Sequence, residues 1–373
     1  MGDAEIVCGI AGYIGKETIA KTAIDITLSL MENRGPDFQD WRSFGFNDTN
    51  VYLLHSRLSI IDLDKRSNQP LSVDGVTLVF NGEIYNYIEV RERLKKQGHT
   101  FSTNSDTEVL LKAYMEYGED CVQHFNGMWA FAIWDERNKK LFLSRDRFAE
   151  KPLYFFQDND GFYFASEIKA IQSLRQKKLQ INYEHLRRYL VYGYKFLHKT
   201  PQTFFHGIRE IEFSSNAILD CNNNFIQTRY WKPESNAIEM TLNEAVEGSR
   251  HYLLESVKLR LRADVPLAFC LSGGVDSASL VSIAKKEFNY DVSTFSIIDS
   301  DKRYNELENI QSTVDDLDCK HFLVHLNFEN MLERLEDLVE YHDSPVFTIS
   351  YLVHSMLSEK ISERGYKVAV SGT

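Results

Sequence analysis

The pattern of apolar residues changes character at Trp231 and Pro233, and that change constrains the fold more than any other feature. Before it, β-branched and aromatic runs are separated by Asn, Gly and Asp: VYLLHSRLSII, VTLVFNGEIYNY, MWAFAIWD, KLFLSRD, PLYFFQ and GFYFASE. Runs of this kind read as short buried strands. Two amphipathic helices interrupt them, one carrying Ile24, Leu28 and Met31 on a single face, the other Val109, Leu110, Ala113 and Tyr114. Two antiparallel sheets with helices against them satisfy this pattern, which predicts an α+β sandwich. After Pro233 a long helix over roughly residues 243–261 precedes the strand VPLAFCL and the turn SGGVDS. Strand and helix then alternate through ASLVSIAKKE, VSTFSII, YNELENIQSTVDDL and KHFLVHL, and two more helices lead to the strand KVAVS. Continuous apolar strands alternating with helices predict an α/β domain whose parallel sheet is covered on both faces. The expected division is a first domain over 8–205, a linker over 206–240 and a second domain over 241–373.

A chain of 373 residues can bury two such cores. Its net charge of -12 argues against a nucleic-acid partner, which needs clustered Lys and Arg. It does not argue against ATP, because magnesium and backbone N–H groups neutralise phosphate locally. MGDAEIV has no basic region of the kind that opens a signal peptide, and the apolar runs are too short to span a membrane. Cys8, Cys121, Cys221, Cys270 and Cys319 are odd in number and scattered, without zinc-site spacing, as expected of reduced thiols in a cytoplasm.

Candidate acyl-transfer residues occur in order along the first domain: Cys8, Arg34 in NRGPD, Arg57 in HSRLSI, Asn81-Gly82-Glu83 in NGEIYNY, and Asp106 in SDTE. A catalytic cysteine needs a base, and its reaction needs donors aimed at the oxyanion. Each residue also has a plain structural reading. Asn81-Gly82 suits a two-residue hairpin turn. Ser105 to Glu108 fits a capping box ahead of a helix. Arg57 could pair with Asp62 on the surface, and Cys8 could be a buried thiol on an edge strand.

Taken together, CGIAGYIG, NRGPD, RLSIIDL, QPL, NGEIYNY, SDTEVLLKAY, FNGMWAFAIWD, SRDRFAEKPLYF and FASEIKA resemble the N-terminal-nucleophile glutaminase domain of class II glutamine amidotransferases, specifically that of asparagine synthetases. The resemblance covers nearly the whole first domain. It implies that Cys8 attacks the carboxamide of glutamine with its own α-amine as base, and that Asn81 and the N–H of Gly82 hold the oxyanion. It further implies that Arg57 grips the substrate α-carboxylate in a bidentate manner, that Glu83 and Asp106 face its α-ammonium, and that the protein dimerises through this domain. Glu150 departs from the family, which more often has an aliphatic residue there.

SGGVDS follows a strand and opens a helix, so its glycines admit a polyanion to N–H groups at a helix N-terminus. A plain strand-to-helix turn is the alternative, and the spacing is not that of a Walker loop. The segment resembles the pyrophosphate loop of ATP-pyrophosphatases, including the synthetase domain of asparagine synthetases. That resemblance implies ATP at Leu271, Ser272, Gly273, Gly274, Asp276 and Ser277, a Mg2+ ion on Asp276, adenine near Val292, and further contacts from Ser371 and Gly372. Tyr304-Asn305-Glu306 resembles a tyrosine–acid–glutamate turn of the family, and Ser344 departs from its Asp-Glu-Pro.

The function expected is glutamine-dependent and ATP-dependent amidation of a carboxylate, aspartate by default, with glutamate, AMP and pyrophosphate released and ammonia passed internally. A uronic acid of surface-polysaccharide synthesis is the alternative acceptor, and a non-catalytic module that keeps the glutaminase fold is the alternative class. Because SG opens an ATP loop of the family and the sequence stops at Thr373, the second domain is expected to be a fragment. Because Cys8 must be N-terminal to use its amine, translation from Val7 or removal of residues 1–7 is expected.

Overall fold

The central strands of the first part form because both of their faces are buried. β1 (Gly9–Gly15) sends Ile10 and Ile14 to one side and Ala11 and Tyr13 to the other, and all four are buried. The computed structural model describes residues 8–235, 238–299, 301, 303, 306–327 and 329–372, without the side chains of 196, 198 and 199. The boundary between its two units falls between Pro233 and Glu234.

In the first unit β1 pairs antiparallel with both β3 (Thr49–Arg57) and β9 (Gly161–Ala165). The sheet continues outward through β8 (Tyr154–Gln157) to β10 (Arg209–Glu210) on one side, and to β2 (Phe38–Phe46) on the other. A second antiparallel sheet runs β12 (Phe225–Arg229), β11 (Ser215–Asp220), β7 (Lys140–Arg145), β6 (Gly127–Asp135), β5 (Val76–Ile84), β4 (Leu71–Val73). One apolar cluster joins the facing sides, with Ile10 and Leu53 against Val79 and Ala132. On the outer faces, α1 (Lys21–Leu30) and α4 (Ile168–Arg175) cover the first sheet, while α2 (Tyr87–Lys96) and α3 (Asp106–Tyr117) cover the second. The result is a four-layer helix–sheet–sheet–helix sandwich, the expected class.

Several local expectations are corrected. Asn81 and Gly82 are not a turn: they lie inside β5, opposite Ala130 and Trp129 of β6. The hairpin turn is Asp74-Gly75, where both φ angles are positive, as a type I′ turn requires. Cys8 leads into an interior strand rather than an edge strand. Ser105 caps α3 through the Thr107 N–H, but Glu108 accepts from Ser102 and Thr103 instead of closing a capping box. Residues 206–240 are not mainly a linker, because β10, β11 and β12 complete the two sheets up to Arg229.

The last α-helix of the first unit is α5 (Tyr183–Tyr192), and the second unit opens with α6 (Leu242–Arg260), begun by a capping box between Thr241 and Glu244. Its parallel sheet has the order β15 (Lys320–His325), β14 (Ser293–Ile298), β13 (Leu267–Cys270), β16 (Val368–Val370). Side chains of α7 (Val275–Ser282) and α8 (Leu307–Leu317) pack on one face. Those of α9 (Met331–His342) and α10 (Ser350–Glu363) pack on the other. All four strands are parallel, but the order of strand addition reverses between β13 and β16, and in such sheets ligands bind at the C-terminal ends of the strands beside that switch point. Among the described residues no helix is long and apolar enough to cross a membrane.

Candidate active site

Cys8 precedes β1, and its sulfur lies against the residue that follows β3. The Leu58 N–H donates to Sγ at 3.4 Å, and the thiol reaches the Leu58 carbonyl at 3.6 Å. Arg34 is buried and donates from Nε to the Cys8 carbonyl at 3.1 Å, while its Nη1 lies 3.5 Å from Glu167. These contacts fix the main chain at Cys8 from its C-terminal side. Burial pushes the thiol up to about 11, against opposing pulls from the Leu58 hydrogen bond and Arg57. At neutral pH the sulfur is therefore protonated, and a reaction through it needs a base.

One pocket brings the candidate residues together: Cys8, Arg57, Gly82, Glu83 and Asp106 line it, along with Leu58, Ile60, Ile61, Gln69, Phe80, Thr107 and Met128. Asp106 is buried at the start of α3, where Oδ2 accepts the Ile84 N–H at 3.0 Å. Burial raises its carboxyl to about 6, partly offset by hydrogen bonds from the Ile84 and Thr107 N–H groups. Gly82 has φ +152°, and a Cβ there would come 2.1 Å from the Met128 carbonyl, so no larger residue fits. Asn81 is fully buried and is not among the lining residues. Neither its Oδ1 nor its Nδ2 has a hydrogen-bond partner, an expensive state for a buried amide.

Arg57 departs from expectation. It is buried, and no surface pair with the Asp62 carboxylate accounts for its hydrogen bonds. Nη1 donates to the Asp64 carbonyl at 3.1 Å and to Asn68 Oδ1 at 2.6 Å, and Nη2 donates to the carbonyls of Ile61 and Asp62. Four acceptors therefore match its four Nη hydrogens, leaving Nε–H as the fifth donor. A bidentate grip through both Nη groups would require breaking this cage. Its bonds shape the 61–68 loop, and its charge reaches Cys8, whose thiol it pulls down. Two further residues carry no role legible in the sequence: Gln69, which lines the pocket, and His55, which does not line it but is bonded to the carbonyl of the lining residue Phe80. Only the folded register reveals them.

In the second unit the loop after β13 is internally bonded. Ser277 Oγ accepts the Ser272 N–H at 3.0 Å, the two hydroxyls lie 2.9 Å apart, and the Gly274 N–H donates to Ser272 Oγ at 3.2 Å. The Gly273 N–H donates to a carboxylate oxygen of Glu306 at 3.0 Å, so the loop already accommodates an anion. Leu271 is buried and tied by its N–H to Phe295. Asp276 stands in the first turn of α7, and Gly372 packs against it: a Cβ on Gly372 would be 3.1 Å from the Ser277 N–H and 3.4 Å from Asp276 Cβ. The structure thus brings Ser371-Gly372, after β16, to the loop after β13, at the switch point. Val292 is not brought there. It is fully buried in the core just before β14, at the end of the sheet opposite the loop, because the register sets Ser293 beside Ala268. The C-terminal end of β14, at Ile298, is the end that faces the crevice side. Tyr304 and Asn305 lie outside the described residues. No cluster of three or more metal-ligating side chains occurs among the described residues. Asp276 alone fits an ion held mainly by phosphate oxygens and water, which is how Mg2+ is commonly bound.

Comparison with known proteins agrees with this division of labour. Residues 7–231 match the family described as "Glutamine amidotransferase domain", and residues 248–373 match "Asparagine synthase". The chain is 34% identical to "Asparagine synthetase [glutamine-hydrolyzing] 1" of Bacillus subtilis over 91% of its own length and 53% of that protein's. It is 32% identical to "Putative asparagine synthetase [glutamine-hydrolyzing] 2" of Methanocaldococcus jannaschii, over 96% of the chain and 74% of the relative. "Amidase chry2" of Gibberella zeae is 29% identical over 98% of the chain and 58% of the relative. Fold and matches together define a class, a glutamine amidotransferase domain followed by an asparagine synthase domain. The chain belongs to the family of glutamine-hydrolysing asparagine synthetases, and it spans about half the length of the Bacillus subtilis relative.

Proposed function

We propose that the first unit hydrolyses glutamine and that the second uses the ammonia to amidate an ATP-activated carboxylate, aspartate by default. The observation that carries the first half is the orphaned, fully buried Asn81 amide beside Gly82, in the strand that borders the pocket holding Cys8. A buried donor without a partner is what a site keeps for charge that develops only during reaction.

The chemistry follows from the groups present. The Cys8 thiol proton passes to the α-amine of Cys8, free once residues 1–7 are removed, and sulfur bonds to the carboxamide carbon. The carbonyl electron pair moves to oxygen, which Asn81 Nδ2 and the Gly82 N–H receive. Collapse breaks the C–N bond, the α-ammonium returns its proton to the leaving nitrogen, and ammonia departs from a glutamyl thioester. Water then releases glutamate. The Asp106 and Glu83 carboxylates attract the substrate α-ammonium, and the Arg57 charge with its Nε–H attracts the α-carboxylate.

In the second unit the loop from Leu271 to Ser277, with Ser371 and Gly372, receives the phosphates of ATP. Asp276 would hold Mg2+, whose chemistry there is to neutralise the departing pyrophosphate. The acceptor carboxylate takes the adenylyl group with loss of pyrophosphate, and ammonia displaces AMP. Release of ammonia and glutamate from glutamine by the mature protein tests the first half: equal release by Cys8→Ala defeats it. Aspartate-dependent exchange of pyrophosphate into ATP by the full-length protein tests the second, and exchange with another carboxylate but not aspartate would reassign the acceptor.

A further inference from the structure

The edge of β5 that borders the pocket is held at one point by two side chains. β4 begins only at Leu71, opposite Leu78, so the register would set residue 69 opposite Phe80. Backbone pairing has stopped there, and the Gln69 side chain replaces it: Oε1 accepts the Phe80 N–H at 2.7 Å, while Nε2 donates to Thr107 Oγ1 at 3.3 Å. The Phe80 carbonyl is bonded to His55 Nε2 at 3.0 Å. His55 lies in β3 of the other sheet, fully buried, with Nδ1 unpartnered. Burial pushes its imidazole down to about 3, so the ring is neutral, and a carbonyl can only accept. The proton is therefore on Nε2. Keeping a neutral ring with one orphaned nitrogen in the core is costly, and its one hydrogen bond goes to Phe80.

The position of that bond matters. The Glu136 N–H donates to the Gly75 carbonyl, so odd-numbered residues of β5 pair with β6 and even-numbered ones face the opposite edge. Along that edge the N–H groups are those of Phe80, bonded to Gln69; Gly82, on the pocket; and Ile84, bonded to Asp106. We infer that Gln69 and His55 are positioning residues for the oxyanion donors: they hold Phe80 by its N–H and its C=O, and thereby set where the Asn81 amide and the Gly82 N–H sit relative to Cys8. The inference rests on the glutaminase reading above. Neither residue touches the reacting atoms, and both act through one strand.

The test compares Gln69→Met and His55→Met with Gln69→Glu, which keeps the acceptor, and His55→Gln, which keeps a donor. Glutamine kcat and KM and the hydrogen exchange of the Phe80 amide are measured in the mature protein, with Cys8 at its N-terminus and both units present. Misplaced oxyanion donors predict kcat about 10- to 100-fold lower in the Met variants with KM changed less than about threefold. The Phe80 amide should exchange faster in Gln69→Met. Both conservative variants should recover kcat to within about fivefold of wild type. Folded Met variants with wild-type kcat overturn the proposal. So does a Gln69→Glu kcat well below that range, whether or not Gln69→Met folds. If wild type itself releases no glutamate, the glutaminase reading fails and the positioning role falls with it, whereas an active wild type with unaffected variants removes the positioning role alone.

Discussion

At the scale of single residues, Asp106 carries opposing demands. Its carboxyl, raised to about 6 by burial, favours the protonated form in the folded protein. The sign follows: a raised folded value gives stability that is complete below the unfolded value near 3.8 and is lost as pH rises through about 6. At pH 8 the buried charge therefore costs about 3 kcal/mol, and Asp106→Asn should melt at higher temperature than wild type there. The same substitution should weaken attraction for an α-ammonium, leaving the Glu83 share alone. In wild type the KM for glutamine should rise as pH falls through about 6, approaching tenfold per unit below it. A KM flat between pH 5 and 7 would remove Asp106 from substrate binding. The sequence made Cys8, Arg57, Gly82, Glu83 and Asp106 legible as members of one site, and the structure brings all five to one pocket. Not legible was what each side chain does for the fold. The carbonyl cage around Arg57 exists only once the 61–68 loop has closed, and no local pattern encodes that closure.

Elements divide by how their faces are buried. β6, with Trp129 to Trp134 all buried, reads as a strand at sight, and so do the amphipathic faces of α1 and α3. β2 is not legible because it is a sheet edge: its residues are half-buried or exposed, and FQDWRSFGF lacks a dominant apolar run. β11 and β12 resemble linker in sequence because Asn, Asp and Cys at 220–224 dilute the pattern, although these residues form the hairpin turn between the two strands. The T-x-x-E signature at Thr241 was available and marks the start of α6 to within a residue. One local conflict suggests an experiment. Ala149 sits at φ +56° in the turn that Asp146 organises through the N–H groups of Phe148, Glu150 and Lys151. The left-handed conformation disfavours a Cβ, so Ala149→Gly should stabilise by about 0.5–1 kcal/mol, net of the entropy glycine adds to the unfolded chain. A calorimetric midpoint that falls would show that the turn does not impose this conformation in solution.

At the scale of the whole molecule, the proposed function assigns one ligand to each of two units of different architecture. Each ligand should raise the melting of the unit that holds its site, by about 2.7 kcal/mol at a hundredfold excess over its dissociation constant. Glutamate, as the product, should protect the first unit, and Mg–ATP the second. Hydrogen exchange resolved to peptides separates them: protection of β13 and α7 by glutamate alone would contradict the assignment of sites.

The cage around Arg57, the Ile84 bond to Asp106 and the close packing of Gly82 also bear on how such a domain ages in evolution. Arg57 and Gly82 each also hold up a neighbouring loop or strand, so selection for folding alone preserves them. Cys8 differs, because its sulfur bonds one residue, Leu58, and its loss leaves every strand pairing intact. A lineage that abandoned glutamine hydrolysis would thus keep Arg57 and Gly82 long after the reaction ceased, while the thiol and the orphaned Asn81 amide would be the first parts to drift.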